Sequence, residues 1–254
     1  MFPTAKMNYK FDNFSLKPLK KGLFLFLGES FRSGGQGSRI RGTPDSYNEQ
    51  INACLSHMNF IDDIKKKFNL KSVSTYISTY NTQYNNNLLS MYKKYLIGCR
   101  FYDNAIGINN LYHTTISFID NIDQYNFVFY IRIDLFLKPP MSQIFDPNSD
   151  MILYPSVCFI PYHKIENNPR VNDTMIFVPK KYYRYIKDIS VFHDSWHNLV
   201  RNTDLTYNDI GTILNTYHDS DSLKDLNPLY YIVNRHQSNK FHSEGHIFNK
   251  FNFK

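Results

Sequence analysis

The sequence predicts an α/β fold with a mostly parallel central sheet, helices on both sides of it and a more helical C-terminal region. Strand-like and helix-like hydrophobic patterns alternate along the chain from residue 22 onward. Residues 22–28 form a continuous apolar run between two glycines, which is typical of a strand buried on both faces. A polar glycine-rich loop and then a helical pattern follow this run. That order is the opening unit of a Rossmann-like mononucleotide-binding fold.

The remaining elements follow from local patterns. The run Ser46-Tyr-Asn-Glu49 matches a capping box and predicts a helix over residues 47–68. β-branched and aromatic residues predict further strands, and apolar spacing predicts further helices, with Leu111, Thr115, Phe118 and Ile119 on one face of the last of them. The predicted strands are 72–80, 99–102, 127–137, 151–157 and 174–178, and the other predicted helices are 88–96 and 109–121.

Composition limits the class of protein. The chain has 254 residues, 42% of them hydrophobic, which fits a globular protein with a sizeable core. Its three cysteines are odd in number and far apart, which argues against a disulfide framework and indicates a reducing compartment. No apolar run reaches the ~20 residues of a membrane span. We expect a cytoplasmic protein with a leader at 1–21 and a single domain at 22–254.

The loop over residues 28–42 carries three arginines, Arg32, Arg39 and Arg41, in a glycine-rich frame ahead of a helix. Backbone N–H groups and guanidinium groups of this kind can bind a pyrophosphate, and the loop begins at Gly28, at the end of the first strand. It lacks the Gly-Lys-Ser/Thr of a P-loop and the third glycine of a dinucleotide-binding motif. The alternative interpretation is a surface loop with solvated arginines.

A charged pair interrupts the strongest strand pattern. Arg132 and Asp134 are two residues apart, so both project from the same face if the strand is regular. A buried carboxylate needs a partner. Two interpretations stay open, a structural ion pair and a carboxylate that binds a divalent metal carrying a diphosphate.

Four segments together resemble nucleotide-sugar glycosyltransferases of the GT-A fold, particularly uncharacterised ones from large DNA viruses and their hosts. The segments read FLGESFR, YISTYNT, YIRIDLFLKP and VNDTMIFVPKKYY. The resemblance implies that residues 22–254 are a single catalytic domain, with a Rossmann-like nucleotide-binding half at 22–138 and an acceptor-side half at 139–254, in the host cytoplasm if the protein is viral. It also implies an acidic motif, usually Asp-x-Asp, that holds Mn²⁺ or Mg²⁺ on the diphosphate. Here Arg132-Ile-Asp134 stands in that place, so only the last carboxylate of the motif is present.

The resemblance also implies roles for later residues. Asp173 precedes a predicted strand where the family has an acidic residue facing the acceptor sugar, and it could act as the general base of an inverting transfer. Ordinary turn chemistry is the alternative for Asn172-Asp173. The family often adds a late histidine to the metal, which makes His242 or His246 a candidate ligand beside Asp134, although surface histidines are the alternative.

The function predicted from these features is transfer of a hexosyl or pentosyl group from a nucleotide diphosphate donor to a hydroxyl of a glycan, protein or small acceptor, assisted by Mn²⁺ or Mg²⁺. Retention or inversion is left open. Tyr80 and Asn81, at the end of the second strand, are placed to contact the base or ribose, with Arg32, Arg39 and Arg132 on the phosphates. The other two hypotheses are a basic nucleic-acid-binding protein and a catalytically inactive scaffold.

Overall fold

The computed structural model describes residues 20–33, 40–155, 174–184, 210–212 and 230–232. Three α-helices and eleven β-strands lie within these ranges. The strands are β1 (Lys21–Gly28), β2 (Arg32–Ser33), β3 (Ile40–Arg41), β4 (Ser72–Tyr80), β5 (Leu96–Tyr102), β6 (Phe127–Arg132), β7 (Leu135–Leu137), β8 (Ile152–Tyr154), β9 (Met175–Pro179), β10 (Ile210–Thr212) and β11 (Tyr230–Ile232). The helices are α1 (Pro44–Lys67), α2 (Asn85–Tyr92) and α3 (Ile108–Ser117).

Seven of these strands form the central sheet, in the order β10-β8-β9-β6-β1-β4-β5. The run β6-β1-β4-β5 is parallel throughout, and β10 is parallel to β8. Only β9 runs against its neighbours in the described sheet, pairing antiparallel with β6 and β8. The predicted fold class, an α/β fold with a mostly parallel central sheet flanked by helices, is confirmed.

The strand β1 lies at the centre because its side chains suit burial on both faces. Phe24 and Phe26 belong to the core on the side of α1, and Leu23, Leu25 and Leu27 belong to the core on the side of α3. All five side chains are fully buried. The continuous apolar run therefore has the physical basis expected of a parallel strand covered by helices on both sides.

The helix α1 begins earlier than the capping-box pattern predicts. Thr43 is its N-cap residue and Pro44 its first residue, where the fixed φ of proline suits a helix and its missing N–H costs nothing. Ser46 is therefore inside the first turn, and its hydroxyl donates back to the carbonyl of Thr43 at 2.8 Å. The predicted start at residue 47 was wrong because proline was a stronger start signal than the box.

The predicted single strand over residues 127–137 is also wrong. The strand β6 ends at Arg132, Ile133 and Asp134 form a turn, and β7 pairs with β11 in a separate two-stranded sheet. The turn sends the chain out of the central sheet at its carboxyl edge. Arg132 and Asp134 thus do not share the face of one regular strand, yet they meet in the turn, as described below.

Smaller differences concern helix ends. α2 spans Asn85–Tyr92 instead of 88–96, because Leu96 pairs with Thr75 as the first residue of β5. α3 ends at Ser117, and Phe118, predicted to share one helix face with Leu111, Thr115 and Ile119, is 41% exposed. The predicted strand at 151–157 corresponds to β8, with residues 156 and 157 outside the described ranges.

In the described part of the chain, no helix has the length and apolar character needed to cross a bilayer.

Candidate functional site

The candidate site lies at the carboxyl edge of the sheet, where β1 and β6 end side by side. From β1 the chain first builds outward to β4 and β5, and later returns to the other side of β1 to form β6. Such a reversal of strand order is a topological switch point, and in open α/β sheets ligands bind in the crevice outside it. Residues 29–32 follow β1, and residues 132–134 end β6 and turn away from it.

An ion-pair cluster fills this position. The Arg32 guanidinium lies with Nη1 2.9 Å from Oε2 of Glu29 and with Nη2 3.2 Å from Oδ2 of Asp134. Arg132 makes a bidentate contact with Asp134, from Nε to Oδ1 at 3.0 Å and from Nη2 to Oδ2 at 2.7 Å. The side chains of Arg32 and Asp134 are 2% and 1% exposed. The structural ion pair left open by the sequence is therefore present, and it includes a second arginine.

A fifth charged group adjoins the cluster. Arg41 is the partner of Arg32 across the β2–β3 pair, and its guanidinium lies 4.6 Å above the ring of Tyr80. Like charges opposite each other in a sheet are destabilising unless compensated. Glu29 and Asp134 compensate Arg32, and the Tyr80 ring supports Arg41 by a cation–π contact. With three guanidinium groups and two carboxylates, these five groups carry a net charge of 3 − 2 = +1.

Hydrogen-bond donors of the cluster remain unused among the described residues. Nε and Nη2 of Arg32 and Nη1 of Arg41 are buried without a hydrogen-bond partner there, since the contact of Arg32 Nη2 with Asp134 is an ion pair outside hydrogen-bond geometry. Buried donors normally find an acceptor. A cationic cluster with spare donors at a switch point is suited to an anionic ligand.

The loop after β1 is held in place by buried polar contacts. Gly28 has a φ of +116°, a value that favours glycine, and its carbonyl accepts the hydroxyl of Thr79 at 2.7 Å. The Thr79 oxygen in turn accepts the N–H of Ser30 at 3.1 Å. Phe31 has a φ of +49°, which is rare for a bulky residue. These contacts turn the chain sharply, so that Arg32 points toward the end of β6.

Buried polar side chains of the helix α1 bind the backbone of β7, which directly follows Asp134. The His57 ring donates from Nε2 to the carbonyl of Leu135 at 2.7 Å and accepts the Tyr92 hydroxyl at Nδ1. Ser56 accepts the N–H of Leu137 at 3.0 Å. Burial lowers the pKa of His57 to about 3, so the ring is neutral at physiological pH. The same burial raises the pKa of Cys54 to about 11, which keeps this thiol protonated and unreactive.

The predicted donor-binding residues fall into three groups. Gly28, Arg32 and Arg132 lie at the carboxyl ends of β1 and β6, at the switch point. Tyr80 is buried, with its hydroxyl against the backbone of residues 106 and 107, and burial followed by the nearby charge of Glu29 raises its pKa. It supports Arg41 and exposes no face to a base. Arg39 is outside the described residues.

Asn81 lies at the exposed end of β4 and makes its contacts toward β5. Its amide donates to the carboxylate of Asp103 and accepts from the Asn85 side chain at 2.8 Å, and its backbone N–H donates to the carbonyl of Tyr102 at 2.9 Å. The side chain is thus tied to the surface beyond β5, in contrast with the arginines of the cluster.

The predicted metal set was Asp134, His242 and His246. Both oxygens of Asp134 already accept guanidinium donors, so a divalent cation would have to displace at least one arginine to reach them. The described residues contain no cluster of three or more His, Cys, Asp and Glu side chains. His242 and His246 are outside the described residues, as is Asp173. The described donor set therefore does not fit a divalent cation, and we derive no step through one.

Sequence reasoning missed Glu29, Gln50 and Thr79. Glu29 was visible next to the glycine, but nothing in a linear pattern shows that it lies beside Arg32. Gln50 falls among the apolar positions of α1, and a polar residue at a buried helical position is a usable signal. Thr79 is ordinary in a strand, and only the pairing of β1 with β4 places it under the loop.

No family model and no curated protein matches the chain. Several solved structures show a weak similarity to it. They include 4-diphosphocytidyl-2C-methyl-D-erythritol synthase from Anaerococcus prevotii, 10% identical with a TM-score of 0.47, which covers 80% of this chain and 91% of its own. The inositol-1-phosphate CTP transferase from T. maritima is 10% identical with a TM-score of 0.41 and covers 78% and 87%.

A third solved structure is a Drosophila β-1,4-galactosyltransferase 7 bound to manganese, UDP-Gal and xylobiose. It is 11% identical with a TM-score of 0.41 and covers 92% of this chain and 77% of its own. Two of the three are transferases by name, and the first is a synthase. Similarity at this level assigns no activity to this chain.

Proposed function

We propose that this protein transfers a sugar from a nucleotide diphosphate donor to a hydroxyl acceptor, on a GT-A-like scaffold. The observation that carries the proposal is the cationic cluster of Arg32, Arg41 and Arg132 at the switch point of the sheet. Together with Glu29 and Asp134, the three arginines carry a net charge of 3 − 2 = +1. This positive charge and the unused buried donors of Arg32 and Arg41 suit a diphosphate. Two of the four sequence segments that resemble glycosyltransferases contain arginines of this cluster. FLGESFR contains Arg32, and YIRIDLFLKP contains Arg132.

The roles of the arginines follow from the chemistry of the leaving group. Breaking the bond between the sugar and the diphosphate leaves extra negative charge on the phosphate oxygens. Guanidinium groups fixed in advance stabilise such developing charge without reorganising. In this proposal Arg32 and Arg132 hold the diphosphate, while Glu29 and Asp134 keep the two guanidinium groups in fixed directions.

Asp173 is the proposed base that takes the proton of the acceptor hydroxyl. Support comes from the following residue, since the carbonyl of Thr174 accepts the backbone N–H of Arg132 at 2.8 Å. The chain thus passes the end of β6 immediately after Asp173. If the transfer is inverting, replacing Asp173 by Asn lowers turnover by ~10²-fold or more with little change in donor affinity. Retained anomeric configuration with an active variant removes this role.

The other predicted contacts are part of the proposal. Arg39 would add a guanidinium to the diphosphate from the loop after β1, and Asn81 would contact the ribose or base from the end of β4. His242 and His246 would complete a metal site with Asp134 only if the arginine contacts of Asp134 are released.

The test is a panel of nucleotide sugars with the full chain, in which release of free nucleoside diphosphate and sugar transfer to simple glycosides are measured together. Hydrolysis or transfer with one donor supports the proposal, and loss of it in Arg132→Gln assigns it to this site. Binding to none of the donors, with tight binding of an oligonucleotide at ~0.15 M salt, would instead favour the nucleic-acid-binding alternative.

A further inference from the structure

Gln50 lies in the second turn of α1 with its side chain fully buried, and its amide reaches two separate parts of the site. Its Oε1 accepts the N–H of Phe31 at 3.1 Å, and its Nε2 donates to the carbonyl of Ile133 at 2.7 Å. Phe31 immediately precedes Arg32, and Ile133 immediately precedes Asp134. One side chain therefore connects the backbone next to each member of the Arg32–Asp134 ion pair.

Gln50 binds both backbone segments just beyond the ends of their strands, since β1 ends at Gly28 and β6 ends at Arg132. Phe31 is in the left-handed region, where its N–H cannot continue the pairing of β1. Its carbonyl accepts the N–H of Gly42 at 2.7 Å, and the N–H of Ile133 donates to the carbonyl of Leu27 at 2.8 Å. The Gln50 amide bridges the two segments in addition to the ion pair of Arg32 with Asp134.

Only a side-chain amide of this length satisfies both groups. The N–H of Phe31 needs an acceptor and the carbonyl of Ile133 needs a donor, which also fixes the orientation of the amide. Asparagine is one methylene shorter, and methionine has a similar length without either polar atom. The positions of the two segments thus depend on the chemistry of residue 50.

We propose that Gln50 is a positioning residue of the anion site, which sets the distance between Arg32 and the Arg132–Asp134 turn without touching the ligand. The identity of the ligand as the diphosphate of a nucleotide donor rests on the proposed function. Because the fit of guanidinium groups to a phosphate is directional, a shift of one segment against the other weakens the binding of the anion more than it weakens the fold.

The experiment compares Gln50→Met with Phe60→Leu in the full chain. Phe60 is on the same helix and is buried, but its ring packs against Phe129 and Phe145, and its side chain makes no hydrogen bond to the turn at residues 133–135. Affinities for inorganic pyrophosphate and for a set of nucleoside diphosphates are measured by calorimetry, and stability is measured by urea unfolding. Gln50→Asn is included as a milder change in case the methionine variant does not fold.

We expect Gln50→Met, or Gln50→Asn in its place, to raise the pyrophosphate dissociation constant by about tenfold or more, as for other displacements of a fixed binding geometry. Phe60→Leu should keep the wild-type affinity at a similar loss of stability. Equal affinity of the wild type and the Gln50 variants, or an equal loss in both helix variants, overturns the proposal.

A second measurement separates this proposal from the proposed function. If the wild type binds neither pyrophosphate nor any nucleoside diphosphate, the proposed function fails, and the positioning role is then judged from stability alone. In a double-mutant cycle, Gln50→Met and Asp134→Asn should together cost less stability than the sum of the two single changes. Additive losses would show that Gln50 does not position the ion pair.

Discussion

Nη2 of Arg32 lies 3.2 Å from Oδ2 of Asp134, and each of these two residues directly follows a residue whose backbone is bound by the side chain of Gln50. Arg32 comes from the loop after β1, and Asp134 comes from the turn after β6. Their meeting closes the carboxyl edge of the sheet at the switch point. The carboxylate has a second partner in Arg132, so one buried anion holds two cations in fixed directions.

Replacing Asp134 by Asn should therefore destabilise the protein. The change removes the buried negative charge that Arg32 and Arg132 share, and breaking a buried pair in this way costs about 3–5 kcal/mol. Urea unfolding measures the loss. Asp150→Asn is the matched control, because Asp150 pairs with Lys181 at 2.9 Å on the surface, with its side chain 80% exposed. A surface pair of this kind contributes at most about 1 kcal/mol. Equal losses in the two variants would contradict the structural role of Asp134.

The sequence predicted much of the sheet because its strands are locally distinctive. The strand β4 was predicted over residues 72–80 and spans Ser72–Tyr80. The apolar run of β1 also predicted burial on both faces correctly. In these segments the local pattern and the tertiary environment agree. Each strand is covered by helices, so its sequence does not alternate between apolar and polar residues.

The turn at Ile133 and Asp134 shows why part of the site could not be predicted. Residues 127–137 are apolar at almost every position and contain no glycine or proline, so no local signal breaks the strand. The break is imposed from a distance by Gln50, His57 and Ser56, which bind the backbone of residues 133–137. Contacts between distant parts of the chain, such as Arg32 with Asp134, leave no spacing to detect.

Replacing Arg32 by Lys should weaken the binding of anions although the charge is kept. Lysine has a single terminal nitrogen in place of the planar fork of arginine, so it cannot reach Glu29 and Asp134 from the separate positions of Nη1 and Nη2 and also bind a phosphate in the same direction. Loss of one charge-assisted hydrogen bond predicts about a tenfold higher dissociation constant for pyrophosphate. Calorimetry measures it. Arg100→Lys, at the far edge strand β5, is the control and should bind as the wild type does. Unchanged affinity in Arg32→Lys would remove Arg32 from the anion site.

His57 should make the stability of the protein sensitive to mild acid. Its pKa is lowered from 6.5 to about 3 by burial, so between these values the unfolded chain binds a proton that the folded protein excludes. Stability is therefore fully present above pH 6.5 and falls by about 1.4 kcal/mol for each pH unit below it. Urea unfolding at pH 7.5 and pH 5 measures this slope. His57→Phe should show a smaller difference between the two pH values than the wild type. An identical pH dependence in both proteins would contradict the assignment.

Removal of divalent cations tests whether arginine or metal carries the charge of the ligand. Both carboxylate oxygens of Asp134 are occupied by guanidinium donors, and the Arg32 guanidinium has donors to spare. We therefore expect nucleoside diphosphate binding to persist in excess EDTA, with at most a small gain on adding Mn²⁺. Raising the salt concentration should weaken binding in either condition, because it screens the net positive charge of the cluster.

The variant Asp134→Asn distinguishes the two sources of charge in the same assay, at a temperature where it stays folded. If Asp134 binds a metal, the variant loses a response to Mn²⁺ that the wild type shows, because an amide is a poorer ligand than a carboxylate for a hard cation. If the arginines carry the charge, wild type and variant respond to Mn²⁺ alike. Strict dependence of wild-type binding on Mn²⁺, lost in Asp134→Asn, would mean that the ion pair opens when the donor binds and that Asp134 becomes a metal ligand.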